Sequence, residues 1–287
     1  MSSRVSKKLM LLEQWSRGVA EATAAQGTQH FIPTLLTSVR RLVDVDFIMV
    51  FAYRGTATPL LLGDTLDAPR HSIIADVYAE GPFMLDPFFR LVSEGKSSGC
   101  FRLHDIAPDY FRRSEYFRLH YSRTGIAEEI GIYFDLGSGL TGVISFARWN
   151  GSPPVLRGEL DILRAMEPAI GAMCVRQWQN LPGVQELSQR RASERQGFKA
   201  LSTREREIVT LILQGHSTES IALQLDISPG TVKIHRKNIY RKMRISTQAE
   251  LFAAFMGLTL AATAQPGYSP RDMVRTTEIS HVRRNAR

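Results

Sequence analysis

Apolar and polar positions recur with the period of a helix or of a strand through most of the first 178 residues. Helical spacing is clearest where Leu9, Leu12 and Trp15 share one face. Short runs rich in β-branched and aromatic residues predict strands. The predicted helices cover 5–24, 29–43, near 71–80, a short stretch from Asp86, near 110–122 and 155–178. The predicted strands cover 46–53, 60–62, 126–134 and 140–149.

The last two predicted strands are joined by Gly137-Ser138-Gly139, a sequence typical of a hairpin turn. With Gly142, these glycines match the dinucleotide-binding fingerprint as a string, but no helix follows them to hold a pyrophosphate. Helices that flank an antiparallel sheet form an α+β sandwich. We therefore expect an α/β/α sandwich domain over residues 1–178.

The C-terminal region carries the start and stop signals of four short helices. Ser202 and Glu205 form a capping box, in which each side chain bonds the other residue's amide. Gly215 ends the first of these helices. Ser228 precedes Pro229, a residue type favoured at the first helical position, so a new helix begins there. Short capped helices around a glycine-containing turn are typical of a helix-turn-helix.

The third of these helices separates apolar from basic side chains. Val232, Ile239 and Met243 share one face and can pack on the two preceding helices. The basic side chains of the other face are Lys233, Lys237, Arg241 and Arg244, with Lys242 nearby. An α-helix fits the major groove of DNA, where Lys and Arg read guanine edges and neutralise phosphates. The alternative is a structural helix with a solvated basic face.

The net charge of +8 lies in the last part of the chain. Residues 1–178 carry 19 Lys or Arg and 19 Asp or Glu, which leaves 17 basic and 9 acidic residues for 179–287. This asymmetry suggests a sensing domain joined to a domain that binds a polyanion. Charge alone does not separate DNA from an anionic membrane. The uncharged stretch 251–264 is shorter than the ~20 residues of a membrane span, so we expect no membrane partner.

Other composition features exclude several classes of protein. Cys100 and Cys174 are the only cysteines, too few for a disulfide scaffold, and the N-terminal apolar run is too short for a signal peptide. We therefore expect a cytoplasmic protein. The histidines lack metal-ligand spacing, and the sequence has neither a phosphate-binding loop nor a nucleophile elbow. We expect no metal, no cofactor and no enzymatic activity.

The C-terminal sequence resembles the LuxR/GerE family of DNA-binding domains. The matching segments are Leu201-Ser-Thr-Arg-Glu-Arg-Glu-Ile, Gly215-His-Ser217, Ile221-Ala222, Leu225-Asp-Ile-Ser228 and Thr231-Val-Lys-Ile-His235, followed by Ile239 and Lys242-Met243. The resemblance implies a four-helix DNA-binding domain over 197–262, with its helix-turn-helix at about 217–237. Glu219 is a departure, because the family usually has a basic residue near phosphate at this position.

The resemblance also implies how DNA is contacted, because in this family the helix that begins at the Thr-Val-Lys-x-His element enters the major groove. The residues expected at base edges are Lys233, Ile234 and Lys237. The residues expected at the DNA backbone are Thr231, His235, Arg241, Lys242 and Arg244. The fourth helix makes a dimer contact in this family, for which Leu251, Phe252 and Phe255 are apolar enough. We expect a homodimer on an inverted-repeat operator of double-stranded DNA, with RNA polymerase as a candidate further partner.

The predicted sandwich resembles the GAF/PAS-like ligand-binding domains that often precede this DNA-binding unit. Its Tyr78…Asp86-Pro87 segment is similar to one in acyl-homoserine-lactone receptors, where the Asp accepts from the ligand amide. Gly139-x-x-Gly142-x-x-Ser145 is similar to a strand of their pocket. Phe101 stands where a pocket tryptophan is expected, so the resemblance favours a small apolar or aromatic effector over a homoserine lactone. The ligand-binding candidates are Tyr78, Phe83, Asp86, Phe88, Phe101 and Ser145.

Other interpretations of the first domain stay open. Asp86-Pro87 is equally a helix cap followed by proline, and the aromatic candidates are equally core residues. The domain can also serve dimerisation alone. A phosphorylated receiver domain would need alternating strands and helices, which do not follow Asp44 and Asp46. The predicted organisation is a ligand-sensing and dimerisation domain over 1–178, a linker over 179–196, the DNA-binding domain over 197–262 and a basic, disordered tail over 263–287.

Overall fold

A computed structural model of the chain describes residues 2–55, 57–79, 81–180 and 200–255. The chain divides into two compact units. The first unit comprises Met1–Pro108 and His120–Glu194, and the second comprises Asp109–Leu119 and Arg195–Arg287. The predicted tail and most of the predicted linker lie outside the described residues, so their boundaries stay predictions.

The first unit is built on one antiparallel sheet of five strands in the order β2-β1-β5-β4-β3. The strands are β1 (Phe47–Tyr53), β2 (Leu60–Asp64), β3 (Gly99–Arg102), β4 (Ile126–Gly137) and β5 (Leu140–Trp149). All four predicted strands are confirmed, and β3 adds a short fifth strand at one edge. The hairpin between β4 and β5 is also confirmed, with positive φ at residues 137, 138 and 139. The glycines therefore serve a turn and not a nucleotide loop.

Helices of very different length connect and cover these strands. The α-helices before residue 180 are α1 (Ser2–Ala24), α2 (Phe31–Arg40), α3 (Ala68–His71), α4 (Val77–Ala79), α5 (Pro87–Ser93), α6 (Leu103–Ile106), α7 (Ser122–Thr124) and α8 (Arg157–Trp178). Single 3₁₀ turns cover Pro82–Leu85 and Phe111–Arg113, and π-helical turns cover Ser72–Asp76 and Phe117–Tyr121. Within the described ranges, no helix combines the length and the apolar character needed to cross a membrane.

One predicted helix is confirmed and one is wrong as a continuous element. The stretch near 71–80 is helical from Ala68 to Ala79 and includes the π-helical turn Ser72–Asp76. The stretch near 110–122 is interrupted at Ser114, whose backbone is extended. The Ser114 hydroxyl donates to the carbonyl of Phe111 at 2.6 Å and accepts from the amide of Phe117 at 3.0 Å. Ser114 therefore ends one turn and starts the next, as a serine cap does.

The main core of the first unit lies between one sheet face and the helices α1, α2 and α8. Side chains of alternate residues along β1, β4 and β5 are buried there, among them Ile48, Ile132 and Ile144. The Trp178 ring stacks on Phe134 with centroids 6.1 Å apart. Helices packed on an antiparallel sheet confirm the expected α+β class for this unit.

A buried ion pair ties β5 to α8. The Arg148 guanidinium donates to Oε1 of Glu159 at 2.6 Å and to the carbonyls of Asp44 and Pro153 at 2.6 and 2.8 Å. The Arg148 side chain is 3% exposed. Burial opposes ionisation of Glu159, but hydrogen bonds from the Leu156 amide and Arg148 outweigh it and lower the pKa of this carboxyl. The cost of burying the Glu159 carboxylate is thus offset by its hydrogen bonds and its ion pair.

The second unit contains the four predicted C-terminal helices. They are α9 (Thr203–Gln214), α10 (Thr218–Gln224), α11 (Pro229–Met243) and α12 (Gln248–Phe255). The capping box is confirmed: Ser202 Oγ accepts from the Glu205 amide at 3.2 Å, and Glu205 Oε2 accepts from the Ser202 amide at 2.8 Å. Gly215 ends α9 with a left-handed φ of 99°. The expected four-helix fold is therefore present.

Candidate nucleic-acid interface

Local signals define the start and the end of α11. Ser228 Oγ accepts from the Thr231 amide at 3.0 Å, and Pro229 follows the cap. The helix ends at Met243, and the next residue, Arg244, adopts a left-handed φ of 56° and donates its amide to the Arg241 carbonyl. A helix bounded in this way presents a fixed set of side chains on each face.

The two faces of α11 differ sharply in burial. Val232 and Ile239 are fully buried, so this face forms part of the core of the second unit. Lys233, Ile234 and Lys237 are exposed, and Ile234 leaves 62% of its surface in solvent. The structure therefore brings all three predicted base-edge residues together on one open face. Their contact with bases stays a prediction.

The predicted backbone-contacting residues surround that face. Arg241 and Arg244 are exposed, and Arg241 Nη2 donates to Asn238 at 3.0 Å. Thr231 and His235 are half-buried. The Thr231 hydroxyl lies 2.8 Å from the Ser228 hydroxyl. These side-chain hydrogen bonds lie within α11 and its N-terminal cap. The contacts of these residues with phosphates stay predictions.

Lys242 has a partner inside the unit. Its ammonium lies 2.7 Å from Oε2 of the buried Glu205. This hydrogen bond is the main reason that the pKa of Glu205 is lowered. The charge of Lys242 is thus balanced by α9, so the pair ties α11 to the capping box of α9. A phosphate contact by Lys242 stays a prediction.

The apolar residues predicted for the dimer contact are buried. Leu251 is fully buried, and Phe252 and Phe255 are each 5% exposed. The Gln248 side chain also donates to the Ile212 carbonyl at 3.1 Å, which fixes α12 on α9. These side chains are therefore buried in the single chain, whereas Ala249 on the same helix is exposed. A dimer contact through this helix stays a prediction.

The predicted ligand residues gather on the sheet face opposite the α1–α2–α8 core. The hydroxyl of Tyr78 lies 2.7 Å from the hydroxyl of Tyr53, and both residues are buried. The Phe83 ring contacts Tyr78 with a centroid distance of 6.3 Å. The Phe101 ring meets Tyr133 edge-on at 5.3 Å. We call this surface the aromatic sheet face.

Phe88 lies directly over β4 on this face. A Cβ atom on Gly131 would lie 2.8 Å from the Phe88 ring, so only glycine allows the ring to sit there. The Tyr133 hydroxyl donates to the Phe88 carbonyl at 2.8 Å. Residue 131 therefore fixes how closely α5 approaches the sheet.

Asp86 begins α5 on the same face. Its Oδ1 accepts from the Phe88 amide at 2.7 Å, so the helix-cap interpretation is confirmed. The side chain is buried at 4% exposure. Burial, and next the charge of Asp86, raise the pKa of Tyr53 and of Tyr133. A role of Asp86 in accepting from a ligand stays a prediction.

Sequence reasoning missed a second carboxyl on the aromatic sheet face. Glu129 is 5% exposed and accepts a hydrogen bond from the Tyr121 hydroxyl. Burial raises the pKa of Glu129, and hydrogen bonds from Tyr121 and Ser145 only partly offset that effect. The predicted ligand residue Ser145 therefore serves a buried polar cluster. The sequence signal that could have identified this carboxyl is the position of Glu129 directly before the apolar run that begins at Ile130.

Comparisons with known proteins find a family model for the C-terminal region and a relative that covers more than half of the chain. The family model described as bacterial regulatory proteins, luxR family, matches residues 199–254. A protein described as an HTH-type transcriptional regulator in the exeN 3′ region of Aeromonas salmonicida is 33% identical over 190 residues, which covers 62% of this chain and 96% of that relative.

Other similarities cover parts of the chain. The response regulator protein TmoT of Ectopseudomonas mendocina is 37% identical over 93 residues, 32% of this chain and 39% of that protein. The crystal structure of the VqsR LBD domain from Pseudomonas aeruginosa has a TM-score of 0.50 at 18% identity, and covers 56% of this chain and 95% of that one. This last similarity is one of fold alone.

Proposed function

The chain belongs to the luxR family of bacterial regulatory proteins, and we propose that it binds operator DNA through α11 under the control of a small molecule held by the first unit. The exposed cationic face of α11 carries this proposal. Val232 and Ile239 on its apolar face are fully buried, so the helix is fixed, while Lys233, Ile234 and Lys237 are exposed. A rigid helix with such side chains suits the major groove, where Lys reads guanine and an apolar side chain meets the thymine methyl.

The DNA-bound species is a homodimer. Two recognition helices then read an inverted repeat whose half-sites lie about one DNA turn, ~34 Å, apart. Such a regulator acts on DNA in the cytoplasm. RNA polymerase is a candidate further partner.

The aromatic sheet face supports the sensing half of the proposal. It carries the hydroxyl pair of Tyr53 and Tyr78 and two buried carboxyls, Asp86 and Glu129, among aromatic rings. A few converging polar groups on an apolar surface are the usual features of a small-molecule site. A ligand controls DNA binding only if it binds two states of the protein with different affinity.

The DNA-binding part predicts a strong dependence of affinity on salt. Each neutralised phosphate releases counterions, so the logarithm of the affinity should fall linearly with that of the salt concentration, with a slope of about −0.9 per phosphate. Fluorescence anisotropy of the full chain on a labelled duplex, from low to high salt, measures this slope. Binding that is absent at low salt, or insensitive to salt, contradicts the proposal.

The sensing part is tested by a thermal-shift screen of metabolites against the full chain. A ligand that binds only the folded protein raises its melting temperature. The ligand found should change DNA affinity, and Asp86→Asn should reduce its binding while the fold is kept. If no ligand is found, or if ligands leave DNA binding unchanged, the first unit serves dimerisation alone.

Glu129→Gln should raise the melting temperature at pH 7 by a few degrees, because about 1 kcal/mol corresponds to ~2–4 °C for a domain of this size. The raised pKa of Glu129 means that its stabilising contribution is present below the ordinary carboxyl pKa of 4.5 and is lost as the pH rises through the folded value. The wild-type melting temperature should therefore fall with rising pH more than that of the variant.

Glu128→Gln is the matched control for this prediction. Glu128 directly precedes Glu129 in β4 and pairs with Arg102 at 2.7 Å. Loss of that pair should lower the melting temperature slightly. If the two variants shift the melting temperature in the same direction, ionisation of the buried Glu129 does not lower the stability of the fold.

A further inference from the structure

The second unit includes a piece of chain from far upstream of the helix-turn-helix. Residues 109–119 cluster with the C-terminal helices, whereas the chain up to Pro108 and from His120 belongs to the first unit. We call residues 109–119 the docking segment. It lies between β3 and β4 in the sequence, so the helix-turn-helix acquires side chains that its own sequence lacks.

Two hydrogen bonds join the docking segment to the turn between α9 and α10. The Tyr110 amide donates to the Gly215 carbonyl at 2.9 Å, and the Ser217 amide donates to Oδ1 of Asp109 at 3.2 Å. A Cβ atom on Gly215 would lie 2.9 Å from the Cα atom of Phe111. The two backbones therefore approach as closely as a glycine allows.

The docking segment is held in a defined conformation. Phe111, Ser114 and Tyr116 are each less than 5% exposed, and the rings of Phe111 and Tyr116 lie 6.1 Å apart. Burial opposes ionisation of Asp109, but hydrogen bonds from Ser217 outweigh it and lower the pKa of this carboxyl. Asp109 is thus charged at neutral pH and positions the segment on the turn.

Two arginines of the docking segment point to a partner outside the unit. Arg112 and Arg113 lie in the 3₁₀ turn that follows the Gly215 contact, and both are exposed. The Arg113 guanidinium stacks over Tyr110 at 5.4 Å from the ring centroid, which limits its conformations. Within the described ranges neither arginine forms an ion pair, whereas Arg118 pairs with Glu115 at 2.8 Å.

The neighbouring helix α10 lacks such cations. Its sequence, Thr-Glu-Ser-Ile-Ala-Leu-Gln, contains no Lys or Arg, and Glu219 occupies its first turn. In a helix-turn-helix this first helix crosses the DNA backbone while the second enters the groove. Phosphate contacts there come mainly from Arg, Lys and backbone amides. Arg112 and Arg113 directly follow the residues that contact the turn leading into this helix.

We propose that the docking segment is a part of the DNA-binding surface, in which Arg112 and Arg113 contact the backbone phosphates that α10 cannot hold. Asp109 and Gly215 position these arginines. This inference rests on the proposed DNA-binding function and extends its surface beyond the helix-turn-helix.

The test compares the Arg112→Gln/Arg113→Gln variant with the wild-type chain on a fluorescein-labelled 30-base-pair duplex of mixed sequence. Phosphate contacts do not depend on sequence, so no operator is needed. We expect affinity to fall on the order of tenfold, and the slope of log affinity against log salt to become shallower by about 1.8, which corresponds to two phosphates. The Arg112→Lys/Arg113→Lys variant should recover most of the slope.

The control is Arg157→Gln/Arg164→Gln, which removes the same charge from exposed positions on α8 and should leave the slope unchanged. An unchanged slope for the Arg112→Gln/Arg113→Gln variant, or an equal change in the control, overturns the inference while the proposed function stands. Absence of DNA binding by the wild-type chain overturns both. An unchanged melting temperature of the double variant excludes unfolding as the cause of its loss of DNA affinity.

Discussion

We expect the Lys233→Ala/Lys237→Ala variant to lose nearly all discrimination between operator and random DNA. Each lysine that contacts a base edge contributes about 1–3 kcal/mol of discrimination, so two should contribute about 2–6 kcal/mol. The expectation follows from their exposure on the same face of α11, opposite the buried Val232 and Ile239. Neither side chain supports the core, so the variant should keep its fold.

The measurement is a pair of anisotropy titrations, one on an operator selected from a random library and one on unrelated DNA. Arg241→Ala is the control, because loss of a phosphate contact should weaken binding to both duplexes alike. If the double lysine variant also weakens both duplexes equally, its lysines hold phosphates and do not read bases.

Glu159→Ala should lower the free energy of unfolding of the first unit by about 3 kcal/mol at pH 7, since it leaves the buried Arg148 guanidinium without its carboxylate. This value is at the lower end for a broken buried pair, because Arg148 keeps two backbone carbonyls as acceptors. Urea unfolding followed by tryptophan fluorescence measures the effect. Trp15, Trp149 and Trp178 all lie in the first unit, so the signal reports on that unit.

The same variant has a predicted pH dependence. The lowered pKa of Glu159 means that its stabilisation is present above the ordinary value of 4.5 and is lost as the pH falls through the folded value. The difference between wild type and variant should therefore shrink in acid. Asp161→Ala, on the exposed side of α8, should change stability by no more than ~0.5 kcal/mol. Equal losses in the two variants would show that helix α8 itself, and not the buried pair, was weakened.

The elements that sequence predicted well are those with local signals. The start of α11 follows from Ser228 and Pro229, and the end of α9 from Gly215, because capping involves residues within one turn. The opposed apolar and basic faces of α11 follow from its periodicity alone. These signals were sufficient to locate α11 and the exposed residues Lys233, Ile234 and Lys237 on it.

The burial of Glu129 depends on what covers the second face of the sheet. Pairing between β4 and β5 is regular from Glu128 to Asp135, so Glu129 lies on the same face as Gly131 and Tyr133. Alternation along the strand predicts that shared face. It does not predict that Tyr121 and the aromatic side chains cover this face, because those contacts come from other parts of the chain.

The docking segment escaped prediction because its partner is distant in sequence. The stretch near 110–122 has helical spacing of aromatic residues, yet Ser114 interrupts it and Phe111 meets Gly215 instead. The burial of Leu251 and the pairing of Lys242 with Glu205 are likewise long-range contacts. Positions transferred from a family indicate which residues matter, but they do not indicate what each side chain touches.

The strand order has a consequence for synthesis of the protein on the ribosome. β1 is apolar and buried along its whole length, and it pairs with β2 on one side and β5 on the other. Phe47 can pair with Ala147 only after Ala147 has been synthesised. At usual rates of translation this takes about 5–20 seconds. During this interval an aggregation-prone edge stays open. During synthesis, the sheet of the first unit should therefore depend on chaperones more than the short helices α9 to α12 do.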